Sequence, residues 1–374
     1  ACEYYQRSLA IKEEVGDRRG QAISLRNLGR VIRDIGNLEQ AREYYERSLT
    51  ISDEIGDRKG KATSFAALGS IVKKRGEYEQ AREYHERSLE INEDNGERRE
   101  QAASLRNLGV VARYRGNYER AREAFERGIA ISKEIGERRN QGLSLCHLGI
   151  VAEHRGDYDR AKECYERSLE ILEEIGAQPR QIETLSRIAA LARLQRDIET
   201  ARTTLDQAGD ILADVNTALY ASKYHKQCAA LARVEGKFEL AQTHLDDALT
   251  VYDEITDTQL ELEIHLERTR LALCRDDPVQ ARAALERAHS LLAGTDTSLE
   301  AGRASLLQGR IAAETGEREA AREQFREALA VFDDIGATAD TLRTLEHLTS
   351  AVRKAGDTDQ ACEWCRQASD RLAT

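Results

Sequence analysis

The sequence predicts an all-α solenoid of antiparallel helix pairs, and three observations carry that prediction. Alanine recurs at positions 1, 41, 81, 121, 161, 201, 241, 281, 321 and 361, a spacing of 40 kept along the whole chain. Glycine stands five residues earlier at 36, 76, 116, 156, 236, 316 and 356, with Arg196 and Asp276 as the exceptions. Only 2 prolines occur in 374 residues, 33% of them charged, a composition that suits helix almost throughout. A register without a slip makes residues 1–374 a single array with no linker or low-complexity segment.

Residues 1–16 read as the second helix of a truncated unit, 17–176 as regular units, 177–297 as diverged units and 298–374 as C-terminal units. That makes about nine full units after one leading half. Within a unit, Leu25, Leu28, Gly29 and Ile32 fall on one face of an amphipathic helix. Gly36-Asn37 closes it, because glycine accepts the left-handed conformation of a helix C-cap. A second helix runs from Leu38 through Ala41 and Tyr45 to Ile51, and Gly56-Asp57 ends it. Pro179 and Pro278 fall where helices begin, the one place where a missing N–H costs nothing.

Gly29, Gly69, Gly109 and Gly149 are expected to face Ala41, Ala81, Ala121 and Ala161, so that paired helices approach closely. Tyr45, His85, Phe125, Tyr165 and Phe325 then fill the space beyond, and Ser48, Ser88, Gly128 and Ser168 make the next small contact. On the outside, Glu43/Arg47 and Glu83/Arg87 are expected to pair at i, i+4.

The order small, small, aromatic, small on Gly29, Ala41, Tyr45 and Ser48 resembles the tetratricopeptide signature, in its 40-residue, long-helix subclass. Asn27-Leu28-Gly29 and Asn107-Leu108-Gly109 are similar to repeats of the Partner-of-Inscuteable type and to the sensor arrays of STAND-type signalling NTPases. The resemblance implies a right-handed superhelix whose first helices line a concave groove for a protein or peptide. It is strong through residue 176 and weaker beyond, where Ile188-Ala189, Cys228-Ala229 and Gln308-Gly309 replace Leu-Gly. Arg30, Ser70, Val110 and Ile150 stand where the Partner-of-Inscuteable pattern often has a second asparagine, so its peptide ligands do not transfer.

With first helices lining the groove, the candidate surface starts basic, with Arg26, Asn27, Arg30, Arg33, Lys73, Lys74, Arg106, Asn107 and Arg113. Its middle has an apolar floor of Val110, Ile150, Ala190 and Ala230, with Tyr114, Leu194 and Val234 one turn on. Arg187, Arg193 and Arg233 edge that floor, and arginines return at 270, 303, 310 and 343. On a chain of net charge -11, such a groove suits a partner carrying carboxylates around hydrophobic anchors. Arginine grips carboxylates in bidentate fashion, and asparagine amides hold a peptide backbone. The helix dipole also favours the last-turn cations Arg33, Lys73, Arg113, Arg193 and Arg233 without any ligand.

The acidic balance argues against nucleic acid as a partner, and no apolar run is long enough to span a bilayer. Seven scattered cysteines point to no disulfide framework and to a reducing cytoplasm. The mid-unit start without methionine suggests a portion of a longer signalling protein; the alternative is a self-assembling scaffold that stacks through its ends. No catalytic, cofactor or metal site is expected. Cys362-Glu363-Trp364-Cys365 has C-x-x-C spacing but no strand–helix context, and Cys365 should take the buried aromatic position. Gly56–Ala62 lacks the spacing and the hydroxyl of a phosphate loop. The 8 histidines fall at unrelated positions with no carboxylate set to orient them; His147 and His154 share a face that either borders the groove or, the preferred reading, lies at the surface.

Overall fold

The computed structural model describes residues 2–215, 217–252, 257–354 and 364–368. They form α1 (Cys2–Glu14), α2 (Arg18–Asp34), α3 (Leu38–Glu54), α4 (Arg58–Lys74), α5 (Tyr78–Asp94) and α6 (Arg98–Tyr114). Next come α7 (Tyr118–Glu134), α8 (Arg138–His154), α9 (Tyr158–Glu174), α10 (Gln178–Leu194), α11 (Ile198–Asp214) and α12 (Ala218–Val234). The array ends with α13 (Phe238–Tyr252), α14 (Thr258–Cys274), α15 (Pro278–Leu292), α16 (Ser298–Glu314), α17 (Arg318–Asp334) and α18 (Thr338–Lys354). No strand occurs among the described residues, and none of their helices is long and apolar enough to cross a membrane.

Each helix begins and ends by local rules. Asp17, Asn37 and Asp57 accept the N–H three residues on, at 2.8, 3.0 and 3.0 Å, which satisfies a donor left open at the helix start. The turn inside each pair demands a left-handed residue. Arg196 and Asp276 adopt φ of 64° and 54° where other units have glycine, so the geometry of the pair overrides residue preference there.

Pairs interlock through glycine and an aromatic ring. A Cβ on Gly29 would lie 2.9 Å from the Tyr45 ring, and one on Gly109 or Gly149 would lie 2.6 Å from Phe125 or Tyr165. The glycines thus seat the ring itself. Ser48 and Ser168 hydroxyls donate to the carbonyls of Ala22 and Gly142, at 3.0 and 2.8 Å. The expected Glu43–Arg47 pair gives way to bridges between units: Arg47 reaches Glu13 at 3.4 Å, and Arg58 reaches Asp94 at 2.6 Å. At the same register the i, i+4 pair does form between Glu163 and Arg167, at 3.1 Å.

The superhelix closes on itself. The turn before α5 meets the turn before α16: the Asp296 N–H donates to the Gly76 carbonyl at 3.1 Å. The Asp296 carboxylate also accepts from the Glu79 N–H at 3.3 Å. This caps α5, whose own N-cap Glu77 makes no side-chain bond. One unit along, Ile335 packs on Gly116, and one buried apolar cluster joins Tyr118 and Phe125 to Phe325, Phe332 and Leu348. The expected open groove is therefore an inner channel roofed by the C-terminal units.

Candidate functional site

First helices α4, α6, α8, α10, α12 and α14 line the channel because their second partners pack outside them. The channel holds two adjoining cavities of about 500 and 370 Å³ that share Arg113, Arg187 and Lys226. Lys73, Lys74, Arg106, Asn107, Val110, Arg113, Tyr114, Ile150, Arg187 and Arg33 line the first. Arg193 and Leu194 line the second, again with Arg113 and Arg187. Arg26, Asn27 and Arg30 line neither: the Arg26 guanidinium donates to Ser48 and Ser52 of α3, at 3.2 and 3.4 Å, and Arg30 is exposed. Val110, Ile150, Ala190 and Ala230 are buried in the wall, while Val234 is exposed.

The first cavity is cationic and under-neutralised. Arg113 is only 6% exposed and lies 4.0 Å over the Tyr114 ring, which stacks on Tyr78 at 4.9 Å. The Nε atoms of Arg106 and Arg113 are buried without a hydrogen-bond partner. Among the described residues no carboxylate lies within ion-pair distance of Lys73, Lys74, Arg106, Arg113, Arg187 or Arg193. Burial lowers the Lys73 ammonium to about 8 and Arg106 to about 10. Of the carboxylates that line this cavity, Asp34, Glu183, Asp257 and Glu263, Glu183 is taken by Lys223 at 2.5 Å and Arg180 at 2.9 Å, Asp34 by Arg33 at 2.7 Å and Glu263 by Lys226.

The second cavity is neutralised from within. Glu267 accepts from Arg233 at 2.6 Å and Arg270 at 2.9 Å. Burial alone would push its carboxyl up, but these arginines hold it at about 2. Asp340, 2% exposed, binds Arg303 at 2.9 Å and Arg343 at 3.1 Å. Lys226 pairs with Glu263.

These carboxylates complete a channel whose cations alone stand out in the repeat pattern. One register column holds the signal: Ile23, Thr63, Ala103 and Leu143 give way to Glu183, Lys223, Glu263, Arg303 and Arg343. Three other expectations are corrected. His147 and His154 are not surface residues; they border the two cavities and stack on Phe125 and Tyr118, each at 5.6 Å. Cys365 is exposed rather than buried; Cys362 lies outside the described residues. A carboxylate does face a histidine: Asp247 lies 3.8 Å from His225, on a neighbouring helix that linear spacing cannot reveal.

A sequence profile described as tetratricopeptide repeat matches residues 1–54, 60–134 and 141–213. No curated protein matches the chain by sequence. Among solved structures, it resembles a Rap protein complexed with competence and sporulation factor, at TM-score 0.66 and 12% identity over 94% of this chain and 98% of that one. It also resembles the apo quorum sensor NprR from B. thuringiensis, at TM-score 0.55 and 12% identity over 97% and 99%. Aspartyl phosphate phosphatase F from Bacillus subtilis is similar at TM-score 0.59 and 14% identity, over 76% and 73%. Identities this low speak for the fold alone.

Proposed function

Because the chain belongs to the tetratricopeptide-repeat family, we propose that its inner channel binds a short extended peptide segment rich in carboxylates, as the sensor or scaffold part of a signalling protein. The observation that carries this reading is the set of channel cations with no carboxylate partner, Lys73, Arg106 and Arg113 foremost. Desolvated charge without a counter-charge destabilises the free protein, and a ligand carboxylate relieves it. Tyr114 offers apolar contact between those charges.

Size favours a short occupant. One turn of α-helix with side chains, 10–12 Å across and 5.4 Å in pitch, fills roughly 500 Å³. The first cavity, about 500 Å³, would hold a single turn. The related fold of a Rap protein complexed with competence and sporulation factor, and of a quorum sensor, agrees with a sensing role.

The test is calorimetric titration with a terminally blocked peptide alternating Glu and Leu, against its Gln counterpart. The Glu peptide should bind at pH 7 and weaken above pH 8, as Lys73 loses its proton. Equal binding of both peptides would remove the carboxylate reading, and binding of neither would remove the peptide.

A further inference from the structure

Away from the channel, α12 and α13 bring two histidines and an aspartate to one point. His225 Nδ1 and His244 Nδ1 are 3.2 Å apart, and an Asp247 carboxylate oxygen lies 3.8 Å from His225 Nδ1. All three ligand atoms fit within 4.8 Å of one another. Tetrahedral zinc with Zn–N bonds of 2.0–2.1 Å places its nitrogen ligands about 3.3 Å apart, so the two imidazoles already stand at the edge length of such a site. We propose that His225, His244 and Asp247 form a binding site for a divalent transition metal of the zinc class.

The repeat supplies independent support, because two of the three positions depart from its pattern in the same unit. Leu25, Leu105 and Leu185 occupy the register position of His225, and Arg47, Arg127 and Arg167 that of Asp247. A solenoid unit gains nothing for its core by exchanging leucine for histidine, or for its outer ion pairs by exchanging arginine for aspartate. The two exchanges together replace a greasy position and a cation with two metal ligands. His244 and Asp247 sit at i, i+3 on one helix face, where both reach the same point.

The surroundings suit a metal. The Tyr224 ring stands edge-on to His225, with centroids 5.3 Å apart, and walls the site on one side. Neighbouring Asp246 is engaged by Arg268 and by Gln242 at 2.9 Å, which leaves Asp247 as the ligand. Neutral imidazole and carboxylate together favour zinc, cobalt, nickel or copper over calcium or magnesium. Three protein ligands leave a fourth position for water or an incoming donor.

The test uses untagged protein, titrated with zinc chloride by calorimetry and with cobalt chloride by visible absorption. Wild type should take up a single zinc ion, show the intense visible bands of tetrahedral cobalt, and melt higher with metal. The double variant His225→Leu/Asp247→Arg restores the residues of the regular units, so it should keep the helical circular dichroism while binding at least tenfold more weakly. His244→Ala, at a partly exposed position, should lose the cobalt bands as well. Wild type without stoichiometric uptake would overturn the site, as would undiminished binding by the double variant, which would assign the metal to the cysteines.

Discussion

Around the first cavity, Lys73, Arg106 and Arg113 line the channel with no carboxylate of the described residues within ion-pair distance; around the second, Arg233, Arg270, Arg303 and Arg343 are each tied to Glu267 or Asp340. First helices of the pairs build both ends, so the difference lies in the residues they carry. A cation paired inside the protein is part of the fold. One held in the same low-dielectric setting without a partner weakens the fold until a counter-charge arrives. The comparison separates two duties of buried arginine, and the two ends should answer mutation in opposite directions.

The largest effect is expected at the paired end. Asp340→Ala strands Arg303 and Arg343 inside the roof of the channel and should cost about 3–5 kcal/mol in urea unfolding. Arg106→Leu removes an unpaired charge and should leave stability unchanged or raise it by about 1 kcal/mol. Comparable losses in the two variants would break the comparison.

A similar contrast holds for histidine. His85 occupies the aromatic position of its unit, fully buried, with neither ring nitrogen bonded. Burial lowers it to about 3. The folded form thus resists a proton that the unfolded chain accepts near 6.5, so stability is full above that pH and falls as pH drops toward 3. His85→Phe should flatten that part of the pH profile and add about 1–3 kcal/mol at neutral pH, measured by thermal melts in stepped buffers. The smallest effect is expected at the closure. Asp296→Ala removes a cap that α5 cannot supply and should cost about 1 kcal/mol, seen as faster hydrogen exchange at the Glu79 amide.

How much of this could be read from the chain depends on distance along it. Helix limits and pairing were legible because Gly36, Ala41 and Tyr45 act within one unit and recur every 40 residues. Even Arg196 and Asp276 take the conformation that the register assigns to glycine. Closure was not legible, since Glu79 and Asp296 meet across 217 residues through the accumulated twist of the units between them. The cations of the site were visible for the same local reason. Their pairing was not: whether Arg303 is satisfied depends on Asp340, a whole unit away. The histidine–aspartate cluster shares that limit, because its ligands come from two helices.

Whether the unpaired end awaits an acidic ligand is tested most directly by a thermal-shift comparison of wild type and Arg106→Leu, each with and without the Glu/Leu peptide. The prediction is that wild type melts lower alone and rises with peptide, while the variant melts at least as high alone and hardly responds. A wild type unmoved by peptide, or a variant that responds as strongly, would contradict it.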